Sequence, residues 1–266
     1  MKDEGIARVS IGRYEGVTVS TAEDSVAVEE PLEIRVGDRA LSVTMRTPGD
    51  DFALAAGFLV SESVVTDRSG IASIRHWGSP NVVRVALEDG AGLDLERLRR
   101  NFYTTSSCGV CGKTSIDALR VEAGPITSAL RVEAAVLAGL PAALRARQET
   151  FASTGGLHAA ALFDAAGTLV SIREDVGRHN AVDKVIGHEL LEGTWPLDRH
   201  ILMVSGRTSF EIVQKAVMAR IPVVAAISAP SSLAVDLARE FHVTLAGFVR
   251  DGRFNVYSAP ERMAQA

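Results

Sequence analysis

The chain has 266 residues, 47% apolar, 5% aromatic and 23% charged, which excludes a disordered polymer and describes a globular protein with an aliphatic core. A formal net charge of −5 excludes a general nucleic-acid surface, so any anion recognition must be local. The charged start Met1-Lys2-Asp3-Glu4-Gly5 lacks an apolar signal core, and no apolar run approaches the ~18 residues that span a bilayer. The expectation is a cytoplasmic protein with no membrane or nucleic-acid partner.

Residues 6–19 and 25–45 have strand patterning, with Gly37-Asp38 as a turn inside the second stretch. Thr47-Pro48-Gly49-Asp50-Asp51 predicts a helix start with Pro and acids in the first turn, and residues 52–60 the helix itself. Residues 71–77 and 81–88 form a predicted strand pair around Gly78-Ser79-Pro80. A short helix is expected at 114–119 and a longer one at 133–148, broken near Gly139-Leu140-Pro141. Beyond Thr154, strands at 157–163, 169–173, 200–204, 223–227 and 244–247 alternate with helices at 178–191, 209–220 and 232–241. Apolar strands spaced by helices predict a largely parallel sheet covered on both faces. The expected organisation is α/β, with a smaller β-rich N-terminal part, 1–127, carrying the cysteines, and a C-terminal α/β domain, 128–266.

The two cysteines of the chain, Cys108 and Cys111, share one glycine-rich segment, Thr105-Ser106-Ser107-Cys108-Gly109-Val110-Cys111-Gly112-Lys113. Lys113 and a following helix N-terminus both favour the thiolate, which is the reactive form. Four readings stay open on these residues. A structural zinc site needs two more ligands, and His158 or His179 fits no familiar spacing. A thioredoxin-like pair belongs directly after a first strand. Two exposed thiols without consequence form the bland reading, and a persulfide carrier is the last.

Other constellations suggest an anion pocket. Arg173-Glu174-Asp175-Val176-Gly177-Arg178-His179-Asn180 runs from a strand end into a helix, presenting free backbone N–H groups. Arg173, Arg178 and Lys184 add charge there, and His179 suits a phosphate or a proton shuttle. The bland alternative is a solvated helix with an Asn180–Lys184 pair and a buried Asp175. Ser205-Gly206-Arg207-Thr208 again joins strand to helix, with Thr208 and Glu211 spaced as a capping box. Ser228-Ala229-Pro230-Ser231 follows the next strand. Phe248, Val249, Arg250, Asp251, Gly252 and Arg253 place two arginines around a turn, suited to phosphate and ring contacts or, blandly, to a solvated hairpin. The remaining histidines, 76, 188, 200 and 242, and both tryptophans are expected to be structural.

Together these segments resemble the formate dehydrogenase accessory sulfur-carrier family (FdhD) over nearly the whole chain. The resemblance rests on Arg46-Thr47-Pro48-Gly49-Asp50-Asp51, Ser107-Cys108-Gly109-Val110-Cys111-Gly112, Thr154-Gly155-Gly156-Leu157-His158-Ala159-Ala160, Glu174-Asp175-Val176-Gly177-Arg178-His179-Asn180, Ser205-Gly206-Arg207 and Ser228-Ala229-Pro230-Ser231. It implies a sulfur carrier that takes persulfide sulfur from a cysteine desulfurase to the bis-molybdopterin guanine dinucleotide cofactor of formate dehydrogenase. It implies that Cys108 bears the persulfide, that Cys111 assists the relay, and that residues 248–253 bind the cofactor. A guanine nucleotide such as GDP suits the same pocket, with Arg178, His179 and Arg207 as further candidates. A cytidine-deaminase-like α/β/α sandwich and a homodimer are also implied. Deaminase chemistry is not, because His158-Ala159-Ala160 lacks the Glu of the His-x-Glu motif. The alternatives carried forward are a guanine-nucleotide-binding redox sensor and a structural-zinc protein.

Overall fold

A computed structural model describes residues 5–88 and 123–264. In chain order the elements are β1 (Ile6–Glu15), β2 (Thr18–Ala27), β3 (Glu30–Val36), β4 (Arg39–Arg46), α1 (Asp51–Ser61), β5 (Ile71–Trp77) and β6 (Ser79–Leu87). They continue with α2 (Ala134–Arg145), α3 (Glu149–Thr154), β7 (His158–Phe163), β8 (Leu169–Asp175), α4 (Arg178–Glu192) and β9 (Ile201–Val204). The chain closes through α5 (Phe210–Met218), β10 (Val223–Ala226), α6 (Ser232–Glu240), β11 (Thr244–Arg250) and β12 (Arg253–Ser258). Cys108, Cys111, the basic stretch 97–100 and the helix expected at 114–119 lie outside the described residues. Among the described residues, no helix is long and apolar enough to cross a membrane.

Strands β12-β11-β10-β9-β7-β8 form a six-stranded mixed sheet. Side chains alternate across it as the pleat requires. Leu162, Leu202, Val224 and Leu245 enter the core shared with α4, α5 and α6, while Phe163, Met203, Val223 and Ala225 pack beneath Leu137, Leu140 and Leu144 of α2. Both faces are therefore covered, as the apolar strands predicted. The parallel expectation needs correcting, because only β9, β10 and β11 run parallel. The β7–β8 and β11–β12 connections are tight hairpins, which force antiparallel pairing, and β7 also runs antiparallel to β9.

Three local differences have physical causes. The first predicted strand is a hairpin, because Gly16 takes φ 64° and turns the chain at Gly16-Val17. Helix α2 runs unbroken through Pro141, its leucines holding one face in the core. Helix α1 begins at Asp51 rather than around Pro48, because Gly49 and Asp50 both take positive φ, 98° and 56°. Asp51 then accepts two bonds from Arg46, at 2.9 and 3.0 Å from Nε and Nη2.

The N-terminal four-stranded sheet, ordered β4-β3-β6-β5, shares its core with the larger sheet. Leu32, Ile34, Val83 and Val85 belong to the same cluster as α1, α4 and Leu202. The join is the crossing of α1 over α4. A Cβ built on Gly57 would stand 1.9 Å from the Asp183 carbonyl oxygen, and one on Gly187 would stand 1.9 Å from that of Ala53. Backbone meets backbone at both points. Alanine there gains at most ~1 kcal/mol of helix propensity, against an overpacking cost of about 3 kcal/mol or more when the obstacle is main chain. Gly57→Ala and Gly187→Ala are each expected to lower unfolding free energy by ~2 kcal/mol or more in chemical denaturation.

Candidate functional site at the carboxyl edge of the sheet

Strands β9, β10 and β11 end at one edge. Because β7 and β8 are antiparallel to their neighbours as arranged, the start of β7 and the end of β8 lie there too, with His158 opposite Asp175. Main-chain bonds stitch the loops together. Ile227 N donates to Val204 O at 3.2 Å, Thr208 N to Ala229 O at 3.2 Å, Ser231 N to Thr208 O at 3.0 Å, and Phe248 N to Ser228 O at 3.1 Å. Helices α4, α5 and α6 start at this rim, from Gly177, Ser209 and Ser231. Ser231 caps α6 by accepting from Ala234 N at 3.3 Å, whereas α4 and α5 have no side-chain cap. Their N-terminal amides and dipoles make the rim receptive to anions.

Part of the expected anion site is structural. Asp175 and Lys184 are 0% and 1% exposed. Lys184 Nζ lies 2.8 Å from Asp175 Oδ2 and donates to Thr47 O at 2.8 Å. Asp175 also accepts from Thr47 N, Gly177 N and Asn180 Nδ2, at 3.1, 2.8 and 2.9 Å. Lys184 is thus spent on the fold and adds no charge to a ligand site. The solvated-helix alternative is also corrected, since α4 is largely buried and Asn180 bonds Asp175 and Met45 O rather than Lys184. Arg173 Nε lies 3.2 Å from Asp50 Oδ2, close enough for charge attraction though off the N–H direction.

Other groups remain available. Arg178 Nε and Thr208 Oγ1 are buried and have no hydrogen-bond partner among the described residues, Thr208 being 1% exposed. Thr208 therefore forms no capping box, and Glu211 turns instead toward His179. His179 Nε2 lies 3.2 Å from Ser209 Oγ and 3.8 Å from Glu211 Oε2. Burial pushes the Glu211 carboxyl up. The Ser209 bond, a backbone N–H and the charges of His179 and Arg178 outweigh it and hold the group below the ordinary Glu range. Buried polar atoms normally find partners, so the orphaned Arg178 and Thr208 atoms suit an anion bound at the rim.

Gly206 lets this corner close. A Cβ on it would stand 3.4 Å from His158 Nδ1 and 3.8 Å from Arg178 Cδ. Burial lowers the His158 pKa, the Arg178 charge lowers it further, and Asp175 opposes both. Arg207 is exposed on the same loop. At the other end of the rim, Arg250 and Arg253 pair across the β11–β12 turn, where Asp251 and Gly252 take φ 54° and 72°. The Arg250 guanidinium lies 5.7 Å from the Phe248 ring centre, and Phe248, Arg250 and Arg253 line an open cavity of about 320 Å³. Val249 is 0% exposed and packs into the core, so it offers a ligand only its backbone. The two groups of candidates share one edge, with two strand spacings, roughly 10 Å, between β9 and β11.

Between α2 and β7 opens a further cavity of about 580 Å³, lined by Gln148, Phe151, His158 and Ser205 among others. Sequence reasoning passed over Gln148, since nothing local marks a buried amide. Glu174 builds this wall by accepting from Thr150 N and Phe151 N, both at 2.9 Å, at the start of α3.

Fold and rim define a mixed α/β protein with cationic side chains and uncapped helix starts where its parallel strands end. The FdhD/NarQ family model matches residues 27–264. A protein named sulfur carrier protein FdhD from Streptomyces avermitilis is 54% identical, covering 97% of this chain and 95% of the relative. One of the same name from Mycobacterium tuberculosis is 48% identical over 92% and 94%. The crystal structure of a proposed formate dehydrogenase accessory protein from Desulfotalea psychrophila shares the fold, with TM-score 0.79, 24% identity, and coverage of 98% of this chain and 100% of that one. The chain belongs to the FdhD/NarQ family.

Lys184→Met leaves Asp175 as an uncompensated buried charge and is expected to cost ~3–5 kcal/mol in chemical denaturation. His158 holds its proton less tightly folded than unfolded, so its contribution is intact above the ordinary His value, near 6.5, and is lost as pH falls below it. His158→Gln is expected to flatten the stability decline between about pH 6.5 and 5, measured by thermal melts of both proteins across pH.

Proposed function

We propose that this protein carries sulfur as a persulfide on Cys108, from a cysteine desulfurase to the bis-molybdopterin guanine dinucleotide destined for formate dehydrogenase. The names of its close relatives support the sulfur-carrier role. The observation that carries the ligand assignment is the rim itself. Orphaned Arg178 and Thr208 atoms sit between uncapped helix starts, with Arg207, Arg250 and Arg253 further along the same edge. Such a rim suits a ligand carrying several phosphates, and Arg binds phosphate with fixed, two-pronged geometry.

In this reading the Cys108 thiolate attacks the outer sulfur of the desulfurase persulfide, breaking its S–S bond and releasing the desulfurase thiolate. Attack by the Cys111 thiolate on Cys108 Sγ then releases hydrosulfide at the bound cofactor and leaves a Cys108–Cys111 disulfide, which a cellular dithiol reduces. The protein acts in the cytoplasm as a homodimer.

Incubation with a desulfurase and cysteine is expected to add the mass of one sulfur atom to the intact chain, reversibly by thiol treatment, and Cys108→Ala is expected to abolish the gain. An unmodified wild-type chain would overturn the carrier reading. The double variant Arg250→Ala/Arg253→Ala is expected to weaken GDP binding ~10-fold or more in calorimetry, given ~1.5–3 kcal/mol for each lost charge-assisted bond.

A further inference from the structure

Gln148 joins α2 to α3 and is 5% exposed. Its backbone is satisfied, with N donating to Arg145 O at 3.3 Å and its carbonyl accepting from Ala152 N at 3.0 Å. Its side-chain amide makes no hydrogen bond with any described residue. Nor does the His158 ring. Both line the cavity of about 580 Å³. Ser205 lines it too; its Oγ accepts from Ala159 N at 2.9 Å, which leaves its proton to donate. Opposite these polar groups stands a planar wall, the Phe151 ring with the Arg145 guanidinium 4.3 Å from its centre. Leu157, 4% exposed, and Ile227 supply apolar surface.

A buried amide, an imidazole and a hydroxyl, all with free bonding capacity beside a flat wall, describe a ligand pocket rather than packing. The volume exceeds what a phosphate needs and lies in the ~300–1,000 Å³ range of small-molecule sites. Its position relates it to the rim. Ser205 belongs to the rim loop, and His158 abuts Gly206, whose other neighbour is Arg178. A ligand with its phosphate at Arg178 and Thr208 thus has this cavity beside it.

We propose that this cavity is a heterocycle subsite. It takes the fused 2-amino-4-oxo pyrimidine ring common to guanine and pterin, held by the Gln148 amide and stacked against Phe151 and Arg145. This rests on the reading of the rim as a phosphate site. The amide donates to the ring carbonyl and accepts from the adjacent ring N–H, a reciprocal pair that needs no change in the fold. Arg145 offers only donors, which suits a carbonyl-bearing ring and disfavours the amino group of adenine. The subsite lies at the β7 end of the rim, away from the Phe248–Arg253 hairpin.

The test is calorimetry of the full chain with GDP, ADP, pyrophosphate and neopterin. GDP is expected to bind ~10-fold or more tightly than ADP or pyrophosphate. Gln148→Leu removes the amide while keeping volume. It is expected to lower GDP affinity ~10-fold while leaving pyrophosphate affinity and melting temperature unchanged, because no protein partner is lost. Phe151→Leu provides a second variant with the same expected pattern in binding. Competition between neopterin and GDP would assign the pocket to the pterin, and its absence to guanine. Equal affinity for GDP and pyrophosphate, or unchanged GDP binding by Gln148→Leu, overturns the subsite and leaves the phosphate rim standing. Failure of both GDP and pyrophosphate to bind overturns the rim and the subsite together.

Discussion

The buried ion pair between Asp175 and Lys184 organises the molecule. One end of β8, the first turns of α4 and the segment Met45-Arg46-Thr47 all converge on it. Val176 N adds a bond to Thr47 Oγ1 at 3.3 Å, and Thr44 Oγ1 one to Asn180 Oδ1 at 3.1 Å. Desolvating two charges is costly, so the pair is weak evidence for added stability. Its value lies in register. Few other arrangements of β4 and α1 on α4 leave both charges and their neighbouring amides paired, and an unpaired buried charge is strongly disfavoured. The glycine crossing of α1 and α4 needs that same register, because only Gly57 and Gly187 allow the backbones so close.

That constraint sorts the charges of one short segment into two jobs. Asp175 and Lys184 face inward and lock the N-terminal part to the larger sheet. Arg178, between them in sequence, points along the rim beside Gly206 with an unspent N–H. Glu174 holds the start of α3 and so sets the wall carrying Phe151. A rim built this way is preorganised. Its donors are fixed by the sheet, by loop-to-loop hydrogen bonds and by helix starts, and little ordering remains to be done when a ligand arrives.

A second buried pair repeats the device deeper inside. Lys215 Nζ lies 2.7 and 2.8 Å from the Asp183 carboxylate oxygens, and Ser61 Oγ donates to Asp183 at 2.7 Å. It connects α4, α5 and the end of α1, so α5 is positioned against α4. That placement brings Ser209 and Glu211 to His179.

Alternating apolar residues in β7, β9 and β10 made the doubly covered sheet legible in the sequence, since the pleat imposes a period of two whatever the partner. Strand direction was not legible, because apolar runs look alike in either direction and only the hairpin turns and neighbouring strands settle it. The motif residues around Asp175 were also visible as a block, and the family could be read from them. Which of those residues serve the fold and which face the rim was decided by tertiary structure alone. A lysine reads the same whether it meets water, a phosphate or Asp175. Gln148 shows the converse. As one polar residue near a helix end it carries no local signal, and only the packing of α2, α3 and β7 buries its amide without a partner. The sequence by itself determined the class of sheet, the family and the cysteine pair. Tertiary structure decided the roles of the charges, because burial and partner geometry, not residue identity, set what a charged or polar group can do.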